Sequence, residues 1–341
     1  MHANGRHRAG RFASAPNPGR AGPAPGHRDN AGMHLLIPFA APLSEAGRQA
    51  AATLALPNLR WLMSRWAEVQ RDSADEWSLS PPHERALALA LGWQGGGGQL
   101  PWAARAARAD GIAPDDLAWG LMTPAHWHLG TEQISLLDPA TLLLDDTTSR
   151  ALFAAVLPLF LSEGYALHYG ASQRWYLAHE SLATLATASL DRVVGRNVDA
   201  WLGKDPAARA LRRLQSEVQM LLYTHPLSDE RAARGLLPVN SYWLSGCGPA
   251  QPEAGVAPQV DERLRGPALA DDWAAWVKAW DTLDAGPLAT LRAGVVNGHA
   301  AALTLCGERG WVRLEAAPGS LLRRARALLK SPDPLALMEM L

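Results

Sequence analysis

Arg231, Arg234 and Asn240 are the side chains of this sequence best suited to hold a small anion. A guanidinium presents a planar fork of donors that matches a carboxylate or phosphate in bidentate fashion, and a nearby neutral amide adds a further donor. The competing reading is an exposed helix turn in which the arginines pair with Asp229 or Glu230, an arrangement of small energetic weight. A second group is Met122-Thr123-Pro124-Ala125-His126-Trp127-His128-Leu129-Gly130. On a strand His126 and His128 project to one face, where two imidazoles can share a metal ion. Two ligands fall short of the three or four that such a site requires, and no acidic third ligand stands at a diagnostic spacing. Packing, or a hydrogen-bonded rim position, is therefore the favoured reading of both histidines.

Four consecutive glycines, Gly95 to Gly98, invite comparison with a phosphate-binding loop. The Lys and Ser/Thr that such a loop needs are missing and no strand precedes it, so a helix-to-helix connection is the better reading. Cys247 and Cys306 are the only cysteines and lie far apart, which argues against a disulfide framework and for a reducing compartment, the cytoplasm by default.

The anion-binding candidates sit in a helix, a polar connection and a strand. A helix over Pro206 to Tyr223 turns Leu211, Leu214, Val218, Leu221 and Leu222 inward and stops at His225-Pro226. Gly235 and Pro238 punctuate, Tyr242-Trp243-Leu244 reads as a buried strand, and Gly246-Cys247-Gly248 as a turn. Ligand crevices in open α/β sheets lie beyond the carboxyl ends of the strands, so Ser245 to Gly248 is an expected pocket site. Around this stretch His34 to Phe39 reads as a first buried strand. Leu59, Leu62, Met63 and Trp66 continue one helical stripe, and His83 to Leu91 forms another. Thr148 to Gly164 is an amphipathic helix, followed by strands at Tyr165 to Tyr169 and Arg174 to Leu177, then mostly loop from Ala183 to Trp201. Trp273, Trp276 and Trp280 form a core stripe on a helix from Asp271 to Leu283. Strands at Ala301 to Leu305 and Trp311 to Leu314 precede a basic amphipathic helix, Ser320 to Lys330.

The 341 residues, 48% of them apolar, supply ample core. A formal net charge of -1 excludes bulk nucleic-acid or anionic-membrane binding as a theme. The longest apolar runs, such as Leu152 to Leu161, are short of the roughly 20 residues that span a bilayer. Residues 1 to 32, rich in Gly, Pro, Ala and Arg, are expected to be a disordered tail, the functional chain starting at Met33. The rest reads as one α/β domain, 33–341, with 62–130 as a helical insertion.

His225-Pro226-Leu227-Ser228-Asp229-Glu230-Arg231, with Gly235, Pro238, Asn240 and the strand Ser241 to Leu244, resembles a stretch of archaeal-type cofactor-independent phosphoglycerate mutases. Those enzymes belong to the alkaline phosphatase superfamily, whose Thr-Pro-Asn-Leu-Asp element Leu56-Pro57-Asn58-Leu59 weakly resembles. From Met33 onward the chain is similar to a proteobacterial group described as phosphoglycerate mutases or RpfE-type regulatory proteins. The resemblance implies an alkaline-phosphatase-like central, mostly parallel sheet flanked by helices, with an inserted or capping segment. It also implies two divalent cations held by Asp and His ligands. Here the sequence departs from the pattern: Phe39-Ala40 follows the first strand in place of Asp-Gly, Arg60 replaces the acidic residue, and Cys306-Gly307 stands where Asp-His would close a late strand.

The leading expectation is thus a metal-free, non-catalytic regulatory or ligand-binding relative that takes a small phosphorylated or carboxylate ligand through Arg231, Arg234 and Asn240. A second is an active phosphomutase or phosphatase holding Mn or Zn through relocated histidines among His126, His128, His168, His225 and His299. A third is a subunit that meets a protein partner through some of its 14 tryptophans.

Overall fold

The computed structural model describes residues 32–203, 208–316 and 332–341. The apolar run Leu35-Leu36-Ile37 does not alternate with polar residues, the pattern of a strand covered on both faces. It lies in strand β1 (Met33–Ile37) and is fully buried there. Parallel partners flank β1: β10 (Ala301–Cys306) on one side and β9 (Gln259–Val260) on the other. Beyond β10 the sheet turns antiparallel through β11 (Gly310–Ala316) to β2 (Trp66–Ser73), giving the order β2-β11-β10-β1-β9. One face packs Leu35, Ile37, Leu303 and Leu305 against Trp276, Trp280, Leu59 and Leu62 from helices Trp273–Leu283 and Pro57–Met63. The opposite face packs Leu36 and Cys306 against Ala86 of helix Pro82–Leu91. The architecture is α/β, with a central sheet flanked by helices and parallel at its core.

Residues 118–249, placed in sequence between β2 and β9, build a second, antiparallel sheet. Its order is β6 (Ala166–Ala171), β7 (Arg174–Ala178), β3 (Ala118–Ala125) and β8 (Ser241–Pro249). Helices Asp146–Ser162 and Ala208–Tyr223 cover one face with Leu152, Val156, Phe160, Leu211, Leu214 and Val218. Helix Trp102–Ala109 lays its alanines Ala103, Ala104 and Ala107 on Trp119 and Tyr176 of the other. A small ribbon of β4 (Trp127–Leu129) and β5 (Ile134–Leu136) follows β3.

Two expectations change here. The span 62–130 is not a helical insertion: helix Pro57–Met63 stops before Trp66, which opens β2, and the span also supplies β3 and β4. Helical spacing of Leu59, Leu62, Met63 and Trp66 misleads because Trp66 reaches the same core from a strand whose polar stretch is paired with β11. Ser245 to Gly248 is no turn either, since β8 runs through it to Pro249. Gly246, at φ 63°, is needed for close approach: a Cβ there would lie 2.9 Å from that of Trp102. The tail expected at 1–32 falls, but for Gly32, outside the described residues, and so does the helix expected at Ser320 to Lys330. Among the described residues no helix is long and apolar enough to cross a membrane.

Candidate functional site

Several of the residues singled out for anion or metal binding have a structural occupation, whereas Arg234, His128 and His299 are exposed. Arg231 is fully buried on helix Pro226–Ala233; its Nε donates to the Leu237 carbonyl at 2.9 Å and its Nη2 to the Leu142 carbonyl, so it ties a loop to a helix end. Two nitrogens of the fork serve backbone carbonyls, and the third, Nη1, is buried without a partner. Arg234 is the exposed C-cap of the same helix. Asn240 accepts from Trp127 N at 2.7 Å and donates to Trp127 O at 2.9 Å, a side chain imitating a strand partner and clamping β4 to β8. His126 lies in the break between β3 and β4 and donates from Nδ1 to the Pro238 carbonyl at 2.8 Å. Its ring centroid is 6.4 Å from that of His128. His225 caps helix Pro226–Ala233 and His168 stacks on Trp119. The three candidates Arg231, Arg234 and Asn240 do not converge on a ligand pocket.

A cleft does open elsewhere. It measures about 740 Å³, within the range of about 300–1,000 Å³ usual for small-molecule sites. Leu43 and Ser44, which follow β1, and Glu308, which follows β10, line it, so it lies beyond the carboxyl ends of the parallel strands. Its opposite wall is Gly195-Arg196-Asn197, Trp201 and the segment Leu269, Asp271 and Trp273. Trp77 reaches into it from the loop after β2 and stacks on Trp201, centroids 5.5 Å apart and planes 29° apart. All 14 tryptophans are described, and Trp77, 60% exposed, is the one that is open to solvent. Arg196 also lines the cleft, its Nη2 3.1 Å from Glu308 Oε2 and its guanidinium carbon 5.9 Å from the Trp201 ring centre. The hydroxyl of Ser44 is occupied as the N-cap of helix Glu45–Ala51, accepting from Gly47 N.

Beneath the cleft a buried polar network fixes its wall. Arg192, 1% exposed, donates to the Glu308 carbonyl at 3.0 Å and to Ser78 Oγ at 2.9 Å, which joins the short helix Leu190–Val193 to the β10–β11 turn. Burial pulls its pKa down to about 10, so it stays charged at neutral pH. Asp191 receives Arg265 at 2.6 Å and faces His83 Nε2 at 3.2 Å. Burial alone would raise its pKa, but the bond to His83 and the charges of His83 and Arg265 hold it at about 2. Glu84 accepts from Ser189 Oγ at 2.5 Å, and burial pushes its pKa up to about 7 despite the pull of His83. Glycine punctuation and arginine bias hide this network in the sequence, where Ala183 to Trp201 reads as loop. Trp77, in the acidic Asp75-Glu76-Trp77, is a sequence signal that helical and strand periodicities pass over.

Comparison with solved structures finds similar folds, two of which follow. A cofactor-independent phosphoglycerate mutase from Thermoplasma acidophilum DSM 1728 shares 14% identity at a TM-score of 0.36, covering 91% of this chain and 98% of that one. A protein from Pyrococcus horikoshii shares 13% at 0.39, covering 85% and 88%. No protein-family model matches the sequence. No curated protein matches it either. At these identities and superpositions the likeness assigns no chemistry to any residue of this chain.

The two-cation centre implied by the sequence resemblance does not fit the residues present. After β1 stands Phe39, held at φ 55° by Trp276 Nε1 donating to its carbonyl and packed on the His83 ring at 5.3 Å. Asn58 and Leu59 give their backbone N–H groups to Asp284 at 3.0 and 2.8 Å, so the carboxylate nearest that element is consumed as a helix cap. Cys306 is fully buried, and burial raises its thiol well above the ordinary value. Among the described residues no group of three or more His, Cys, Asp or Glu side chains is placed to hold a metal ion.

Proposed function

We propose that this chain is a phosphoglycerate mutase-like protein that binds a small organic molecule instead of transferring phosphoryl groups, with the cleft between Trp77, Arg196, Trp273 and Glu308 as its ligand site. One observation carries the reading: the single open tryptophan of the described residues stands, stacked and oriented, in a cleft of ligand size at the carboxyl ends of the parallel strands. An exposed indole that served only the core would be covered. Support for a non-catalytic role comes from the occupied state of the candidate groups: Asn58 tied to Asp284, Arg231 to carbonyls, and Ser44 to a helix end. Both cysteines are free and buried, in keeping with a regulatory or binding protein of a reducing compartment such as the cytoplasm.

Equilibrium dialysis of the full chain against a metabolite extract, read by mass spectrometry, tests this. The wild type should retain a small molecule that Trp77→Ala loses, while purified protein carries no stoichiometric Mn²⁺ or Zn²⁺ and does not turn over 3-phosphoglycerate. Stoichiometric metal together with turnover that His126→Ala abolishes would restore the enzymatic alternative.

A further inference from the structure

The chemistry of the cleft wall narrows the ligand further, on the premise that the cleft is the binding site. Four ionisable side chains line it: Glu76, Asp271, Glu308 and Arg196. Glu308 is engaged by Arg196 at 3.1 Å, with buried Arg192 at 3.7 Å behind it. Glu76 and Asp271 are exposed, and among the described residues neither carboxylate has a hydrogen bond or ion pair. With Arg192 counted, three acids against two arginines leave one negative charge in excess, and the two acids without a partner are the exposed Glu76 and Asp271. Each of these two carboxylates is accompanied by an indole that also lines the cleft, Trp77 next to Glu76 and Trp273 close to Asp271.

We infer that the cleft selects an organic cation, an ammonium or guanidinium group on a small organic body, seated on the indole of Trp77 or Trp273 and balanced by Glu76 and Asp271. Tryptophan is the strongest aromatic partner for a cation. The protein's own Arg196 rests near Trp201 while paired with Glu308, the same combination of aromatic face and carboxylate. A phosphate in the cleft would face two carboxylates without partners and an arginine already paired with Glu308. The backbone of Asp271 lies in the left-handed region at φ 52°, one that aspartate and asparagine tolerate better than most residues. Asparagine therefore removes the charge and keeps the backbone.

Isothermal titration of the full chain with choline, agmatine and putrescine, beside 3-phosphoglycerate and maltose as anionic and neutral comparators, decides the matter. At least one cation should bind. Glu76→Gln and Asp271→Asn should each weaken it about 3- to 10-fold, more so at low salt, with unchanged melting temperature. Cation binding that survives Trp77→Ala and Trp273→Ala would overturn the inference, and so would the absence of heat from all three cations. If 3-phosphoglycerate or maltose binds instead and Trp77→Ala abolishes it, the charge assignment fails while the cleft remains the ligand site.

Discussion

Glu84 is a carboxyl whose ionisation the fold opposes. Its folded pKa of about 7 lies above the ordinary 4.5, so between those values the folded protein binds a proton that the unfolded chain has released. The associated stability is complete below about 4.5 and is lost as pH rises through about 7, a change on the order of 3 kcal/mol. Two other groups titrate in the opposite sense. His34, buried and near Arg313, is held down at about 4, so its neutral form is favoured and stability rises with pH up to its usual 6.5. Asp191, at about 2, contributes stability that disappears only in strong acid. The absolute pH profile thus mixes these effects, whereas the difference between wild type and Glu84→Gln isolates one. We expect Glu84→Gln to melt above wild type at pH 8, with the gap closing by pH 5. A gap that is constant across this range, followed by differential scanning fluorimetry, would contradict the buried neutral acid. None of this is visible in His83-Glu84-Arg85 as a sequence, where Glu84 occupies an ordinary helix first turn. Its hydrogen-bond partner Ser189 lies far away in the chain.

At the scale of elements, long-range side-chain caps do much of the joining. Helix Pro57–Met63 has Leu56 as N-cap, in the left-handed region and without a capping side chain. Asp284, 4% exposed, substitutes from the other side of the core by accepting from Asn58 and Leu59. Asp284→Ala should cost about 2–3 kcal/mol in urea unfolding, because two orphan helix donors become buried and unpaired. Asn240→Ala should cost about 1–2 kcal/mol by releasing β4 from β8, and should leave ligand affinity in the cleft unchanged. An effect of Asn240→Ala on affinity at unchanged stability would return this residue to a binding role. Sequence periodicity located several elements closely: the strand expected over His34 to Phe39 is Met33–Ile37, the helix expected over Thr148 to Gly164 is Asp146–Ser162, and of the stripe Trp273, Trp276 and Trp280 the last two are fully buried while Trp273 packs partly buried against the core. Periodicity failed at Trp66 and at Gly246, since a one-dimensional spacing cannot tell which neighbour supplies the hydrogen bonds.

For the whole molecule, the decisive property is how chemistry-bearing side chains are distributed. Arginines serve as internal ties, the histidines near β3 and β4 are dispersed, and the carboxylates near the central sheet hold helix ends or other side chains. We therefore expect Mn²⁺, Zn²⁺ or a chelator to leave the melting temperature unchanged within about 1 °C, since a ligand acts on stability only through differential binding to the folded state. A metal-dependent rise of several degrees, reversed by chelation, would contradict this expectation and favour the enzymatic alternative.

The sequence by itself determined the α/β class, most strand and helix positions, and that Phe39-Ala40, Arg60 and Cys306-Gly307 stand where the resemblance implies acidic and histidine residues, because periodicity and residue identity are local facts. Only the tertiary structure decided that Arg231 and Asn240 are internal ties and that Trp77, Arg196, Asp271 and Glu308 share a cleft. Those four come from four separate loops, and their meeting is set by how two sheets and their helices pack, which no spacing along the chain encodes.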